Sequence, residues 1–95
     1  MKEVQVTEVP SGAQLIDVRE PAEFTEVHAA GAVSIPMSEF VGRIGELDQD
    51  REIFLICRSG GRSAQVQDYL AHRGIDATNV AGGTQAWVAA GLPTE

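Results

Sequence analysis

The chain has 95 residues, 43% of them hydrophobic, which admits one domain (residues 1–95) with a real core and excludes a two-domain architecture. Fourteen acidic against seven basic side chains give a formal charge of −7, a field that repels nucleic-acid phosphates and anionic lipid headgroups, so neither nucleic acid nor a membrane surface is an expected partner. A single cysteine, Cys57, excludes an internal disulfide, and with only two isolated histidines, His28 and His72, no metal and no cofactor are expected.

Residues 1–20 alternate charged and apolar side chains without the apolar core of a signal peptide or a membrane span, so the expected compartment is the cytoplasm. Glu3 to Val9 reads as a strand at a sheet edge, stopped by Pro10-Ser11-Gly12. Gln14 to Val18 is a second strand, and Pro21 suits the first turn of a helix through Val27. Ala32 to Ile35 is a short strand ended by Pro36. Ser38 is placed to cap a helix whose apolar residues Phe40, Val41, Ile44 and Leu47 follow a 3,4 spacing. Ile53-Phe54-Leu55-Ile56 has no polar position and reads as a central strand covered on both faces. Ser63 to Arg73 forms a helix with Val66, Tyr69 and Leu70 on one side, closed by Gly74. Asp76 to Val80 is the last strand and Thr84 to Ala90 the last helix, ended by Gly91-Leu92-Pro93. Strands alternating with helices imply an α/β domain with parallel pairing and ligands at the carboxyl ends of the strands.

The chemistry concentrates directly after the central strand, in Cys57-Arg58-Ser59-Gly60-Gly61-Arg62-Ser63. Backbone N–H groups at a helix start are unpaired, and two glycines let successive amides turn inward as an anion-binding nest. Such a cradle lowers a thiol pKa, with Arg58 and Arg62 expected to help. A lone cysteine is ordinarily a small core residue, but a core thiol needs no glycine pair and no arginines behind it. Cys57 is therefore the candidate nucleophile, with Arg58, Ser59, Gly60, Gly61, Arg62 and Ser63 as the candidate substrate-binding loop. Arg62 is also placed to brace the loop from outside. Asp17 and Arg19, two apart at a strand end, either support the site or form a structural ion pair or strand-end cap; Arg19 with Glu23 at i,i+4 is one such pairing. His28 reads as a satisfied turn residue rather than a general base, His72 as a residue near the negative end of its helix with no chemistry, and Trp87 as core.

The chain resembles the rhodanese-like domains along nearly its whole length. Leu15-Ile16-Asp17-Val18-Arg19-Glu20-Pro21-Ala22-Glu23-Phe24 is similar to that family's opening motif, followed by His28, Gly31-Ala32 and Ile35-Pro36 in the expected order. The loop Cys57 to Ser63 resembles the family's active-site loop, and Gly82-Gly83, Ala86-Trp87 and Gly91-Leu92-Pro93 resemble its closing motif. Where the family often has Gly-His-Ile-Pro-Gly-Ala this chain has Val27-His28-Ala29-Ala30-Gly31-Ala32, a change that bears on turn rigidity and not on the cysteine loop. The resemblance implies a five-stranded, mainly parallel sheet flanked by helices on both faces and a cysteine that carries sulfur as a persulfide. It also places the Asp17 and Arg19 end near the cysteine loop. Phosphatases of related fold put five residues between nucleophilic Cys and Arg, whereas Cys57 and Arg62 have four between them and Ile56, not His, precedes the cysteine. The tighter ring resembles a sulfurtransferase loop.

The expected function is transfer of sulfane sulfur from thiosulfate or a related small anionic donor, through a Cys57 persulfide, to cyanide, a thiol or a protein acceptor. No second cysteine is present to resolve the persulfide internally, so turnover depends on an external acceptor. Two other readings stay open: an enzyme acting on an oxyanion such as arsenate or phosphate, and a partner-dependent sulfur-delivery or interaction module. A monomer is expected, since no long apolar stripe is left exposed by the pattern.

Overall fold

Consecutive parallel strands need crossover connections, and the alternation along this chain supplies them. In the computed structural model, which describes residues 2–95, the strands β1 (Glu3–Val4), β2 (Gln14–Asp17), β3 (Val33–Ser34), β4 (Ile53–Ile56) and β5 (Thr78–Val80) form one sheet. Their order is β1-β5-β4-β2-β3, and every neighbouring pair is parallel. The helices are α1 (Pro21–Glu26), α2 (Gly61–His72) and α3 (Gly83–Ala89), with 3-10 segments at Val6–Glu8, Met37–Glu39 and Val41–Glu46. Among the described residues, no helix is long and apolar enough to cross a membrane.

The central strand is β4. Side chains alternate across a strand, so Ile53, Leu55 and Cys57 enter one core with Val66 and Leu70 of α2, while Phe54 and Ile56 enter a second core with Val6, Val80 and Trp87 of α3. An uninterrupted apolar run is what this two-sided burial requires, and each of the four residues is at most 4% exposed. Helices cover both faces, as expected. Trp87 is core, and its indole Nε1 donates to the Pro93 carbonyl at 2.7 Å.

Two expected elements differ. The strand from Glu3 to Val9 keeps its edge position but pairs only through Glu3 and Val4. At Gln5 the chain leaves the sheet, because the Gln5 N–H donates to the Glu8 carboxylate at 2.7 Å and closes a 3-10 turn that buries Val6. The segment after Pro36 is not an α-helix capped by Ser38. Gly42 and Gly45 remove helix propensity, leaving two 3-10 segments, and the Ser38 hydroxyl donates to the Glu20 carboxylate at 3.1 Å instead of capping. The apolar spacing still does part of its job: Phe40 and Leu47 are buried, while Val41 is 66% exposed.

Elsewhere the expected elements are present with boundaries moved by a residue or two. Gly74 closes α2 at φ +76°. His28 is a satisfied turn residue, its ring stacked 3.6 Å from Phe24 and its Nδ1 2.7 Å from the Phe24 carbonyl. His72 is exposed in the last turn of α2.

Leu70 is fully buried beneath α2. Leu70→Ala should lower unfolding free energy in urea by roughly 2–5 kcal/mol, whereas Val41→Ala should change it by less than about 0.5.

Candidate active site

Strand β4 delivers Cys57 to the carboxyl end of the sheet, where Val18 N–H still donates to the Ile56 carbonyl at 2.9 Å and keeps the Asp17–Arg19 segment alongside. The chain then turns through Gly60 at φ +112°, a left-handed conformation that a side chain would strain. This turn brings the Gly60 N–H 3.0 Å from Cys57 Sγ, and α2 begins at Gly61, so Ser63 lies in its first turn with Oγ 3.3 Å from the same sulfur. Cys57 is 1% exposed. Burial pushes its thiol pKa up, but the Ser63 hydroxyl and the backbone N–H groups of Ser63, Gly60 and Ser59 together outweigh that and hold it below the ordinary thiol value.

The sequence expectation gave Arg58 and Arg62 a direct share in activating the thiol; in the structure the loop's own donors lead. Arg62 is clamped to Glu23 of α1 by two hydrogen bonds of 2.7 and 2.9 Å, so it braces the loop from outside while its charge still acts on Cys57. The same Glu23 carboxylate accepts the Glu20 N–H at 3.2 Å and caps α1. Hydrogen bonding to Arg62 holds the Glu23 carboxyl at about 2, against an ordinary value of 4.5.

Asp17 and Arg19 form a buried ion pair, with Nε and Nη2 of Arg19 at 2.8 to 3.1 Å from the carboxylate. Nη2 also donates to the Val27 carbonyl at 2.7 Å. The alternative i,i+4 pairing of Arg19 with Glu23 is absent, because Asp17 and Val27 occupy the guanidinium and Arg62 occupies Glu23. Arg58 is exposed, makes no salt bridge among the described residues, and lines a 670 Å³ cleft with Arg19, Glu26, Thr84 and Val88. A larger hollow of 790 Å³ lies away from the loop, against Pro10, Trp87 and Leu92, and no cysteine or histidine lines it.

Two residues were given no part in holding the loop by the sequence reading, which noted Gly83 only within the closing motif. Gly83 stands where a Cβ would come 2.3 Å from the Cys57 carbonyl oxygen and 2.6 Å from that of Arg58. That close approach lets the N–H groups of Thr84 and Gln85 donate to those two carbonyls at 2.8 and 3.1 Å. The glycine pair before the last helix was its signal. Asn79 of β5 is 5% exposed, accepts the Ser63 hydroxyl at 2.5 Å and donates from Nδ2 to the Gly60 carbonyl at 3.2 Å. Its only signal was a carboxamide in a strand that buries all three of its residues.

The family model for the rhodanese-like domain matches residues 5–90. The chain belongs to the rhodanese-like family. Its similarity to the Bacillus subtilis protein named putative sulfurtransferase YtwF is 45% identity over 73 residues, covering 77% of this chain and 71% of that one. A protein of Allochromatium vinosum named sulfurtransferase is 39% identical over 80 residues, covering 83% and 75%. Among solved structures, a rhodanese-related protein from Thermoplasma volcanium superimposes with a TM-score of 0.92 at 28% identity, covering 100% of this chain and 98% of that one. The rhodanese-like fold is thus present.

Adding a methyl group at Gly83 should displace the Cys57 and Arg58 backbone. Gly83→Ala is expected to cost roughly 1–3 kcal/mol in urea unfolding and to shift the pH midpoint of Cys57 alkylation upward. Because the Glu23 pKa is depressed in the folded state, its pairing with Arg62 stabilises the protein above the ordinary carboxylate value and is lost as pH falls toward about 2. A carboxyl-carbon NMR titration of Glu23 should show that low midpoint in wild type and a rise in Arg62→Gln.

Proposed function

We propose that this domain is a sulfurtransferase that carries sulfane sulfur as a persulfide on Cys57 and uses thiosulfate or a related small anion as donor. The observation that carries the reading is the Gly60 N–H held 3.0 Å from Cys57 Sγ inside a ring that closes with four residues between Cys57 and Arg62. A ring of that size suits one terminal sulfur atom. Kinship with proteins named sulfurtransferase supports the same reaction class.

In the first half-reaction the Cys57 thiolate attacks the outer sulfur of thiosulfate. A Cys57 S–S bond forms, the sulfur–sulfur bond of thiosulfate breaks, and sulfite leaves with the electron pair. The arginines divide the work. Arg19 is neutralised by Asp17 and Arg62 by Glu23, so Arg58 is the cation of the cleft left to meet the incoming and departing anions. Loop N–H groups from Ser59 to Ser63 then stabilise the negative terminal sulfur of the persulfide. In the second half-reaction a nucleophilic acceptor such as cyanide, a small thiol or a protein thiol attacks that sulfur, and Cys57 leaves as thiolate. Ping-pong kinetics follow from the two steps.

Wild type incubated with thiosulfate should gain about 32 Da by intact-mass spectrometry, lose it on addition of cyanide, and gain nothing as Cys57→Ser. Absence of the adduct with both thiosulfate and polysulfide would overturn the reading and move attention to oxyanion substrates. Arg58→Ala should raise KM for thiosulfate about tenfold or more while leaving Cys57 alkylation by a neutral reagent nearly unchanged.

A further inference from the structure

The Ser63 hydroxyl has one proton and three acceptors around it: Asn79 Oδ1 at 2.5 Å, the Gly60 carbonyl at 3.2 Å and Cys57 Sγ at 3.3 Å. It is fully buried, away from bulk solvent. The orientation of the Asn79 carboxamide is set by its other end. Nδ2 donates to the Gly60 carbonyl at 3.2 Å, and turning the amide over would put two acceptor oxygens face to face. Asn79 therefore offers Ser63 an acceptor and no donor.

We propose that Asn79 is a positioning residue that competes with Cys57 for the Ser63 proton, holding it while the sulfur is uncharged and releasing it when the sulfur becomes a thiolate. The proposal rests on Cys57 being the nucleophile and adds a control over when its charge is stabilised. With a thiol, the S–H donates to Ser63 Oγ and the Ser63 hydroxyl donates to Asn79, so each group is satisfied. With a thiolate, a lone pair of Ser63 facing the sulfur is repulsive, and the hydroxyl turns to donate to Sγ at the expense of the Asn79 contact. When the charge moves out to the terminal sulfur of a persulfide, Sγ becomes neutral again and the hydroxyl returns to Asn79. Ionisation breaks the S–H bond and passes its proton to solvent, and the S–S bond forms in the attack on the sulfur donor; the exchange itself is the rotation of one hydroxyl.

The charged side chains around Cys57 make no hydrogen bond to Asn79. Glu23 of α1 pairs with Arg62 of α2, Asp17 pairs with Arg19 after β2, and Arg58 lies on the cleft. At the start of β5, Lys2 pairs with Asp76 at 2.9 Å and lies 3.9 Å from Glu52. Substitution of Asn79 removes no ion pair from this set.

The test is the pH dependence of Cys57 alkylation by iodoacetamide, read together with thiolate absorbance, in Asn79→Ala, Asn79→Leu and each combined with Ser63→Ala. Removing the competing acceptor should lower the midpoint by about half a pH unit or more. Ser63→Ala alone should raise the midpoint, and adding either Asn79 substitution to it should produce no further change. A brace that merely holds the loop would give the opposite sign, so a raised midpoint in the Asn79 variants overturns the proposal, as does an equal shift in the Ser63→Ala background. Asn79→Leu keeps the branched shape of the carboxamide at a somewhat larger volume and supplies the measurement should Asn79→Ala not fold. Alkylation reads the thiol whatever the sulfur donor is, so failure of thiosulfate as a substrate leaves this test intact.

Discussion

A negatively charged sulfur at 1% exposure persists only where donors replace the water it has lost. The loop after β4 meets that demand from the backbone and one hydroxyl, and most of the surrounding architecture exists to keep those groups aimed. The left-handed φ of Gly60 turns its N–H inward, and the early start of α2 brings Ser63 beneath the sulfur. Asn79 reaches over from β5 to the Gly60 carbonyl and the Ser63 hydroxyl, while α3 approaches closely enough, through the missing side chain of Gly83, to hold the Cys57 and Arg58 carbonyls. Contacts from β5 and α3 thus restrain Cys57, Arg58, Gly60 and Ser63.

Charge is arranged by cancellation rather than accumulation. A chain with a net charge of −7 cannot attract an anion by its overall field, so attraction has to be local. Of the three arginines gathered near the sulfur, two are spent on carboxylates that fix geometry: Arg19 ties the end of β2 to the Val27 carbonyl, and Arg62 ties α2 to α1. Among the described residues Arg58 makes no salt bridge, and it lies on the cleft. Under the proposed function, a site built this way gives the holding of the loop and the meeting of the anion to different side chains of the same type.

Much of this was readable from the chain because the informative residues are punctuators and apolar runs. Ile53 to Ile56 announced a strand buried on both faces, Pro21 and Gly74 marked a helix start and stop, and the glycines, arginines and cysteine of one loop marked the site. The misread elements are those in which local hydrogen bonds overrode the pattern. Glu8 folded back on Gln5 and ended β1 early, and Gly42 with Gly45 converted an amphipathic spacing into 3-10 turns. Asn79 and Gly83 were missed for a different reason. Each acts on the cysteine loop across sixteen or more positions of sequence, through contacts that only the strand order and the seating of α3 create.

The register of the sheet edge has a bearing on how the domain is made. Glu3 pairs with Asn79, and the Asn79 N–H donates to the Lys2 carbonyl at 3.0 Å, so the segment that carries Asn79 is seated against residues at the far end of the chain. Pairings of such large sequence separation carry a loop-closure cost before they return any stability, and they form late and slowly relative to local turns. During synthesis the first strand has no partner until the fifth has emerged. The thiol cradle consequently depends on pairings between distant parts of the chain, and a chain that has not yet closed them carries the cysteine without its β5 and α3 supports.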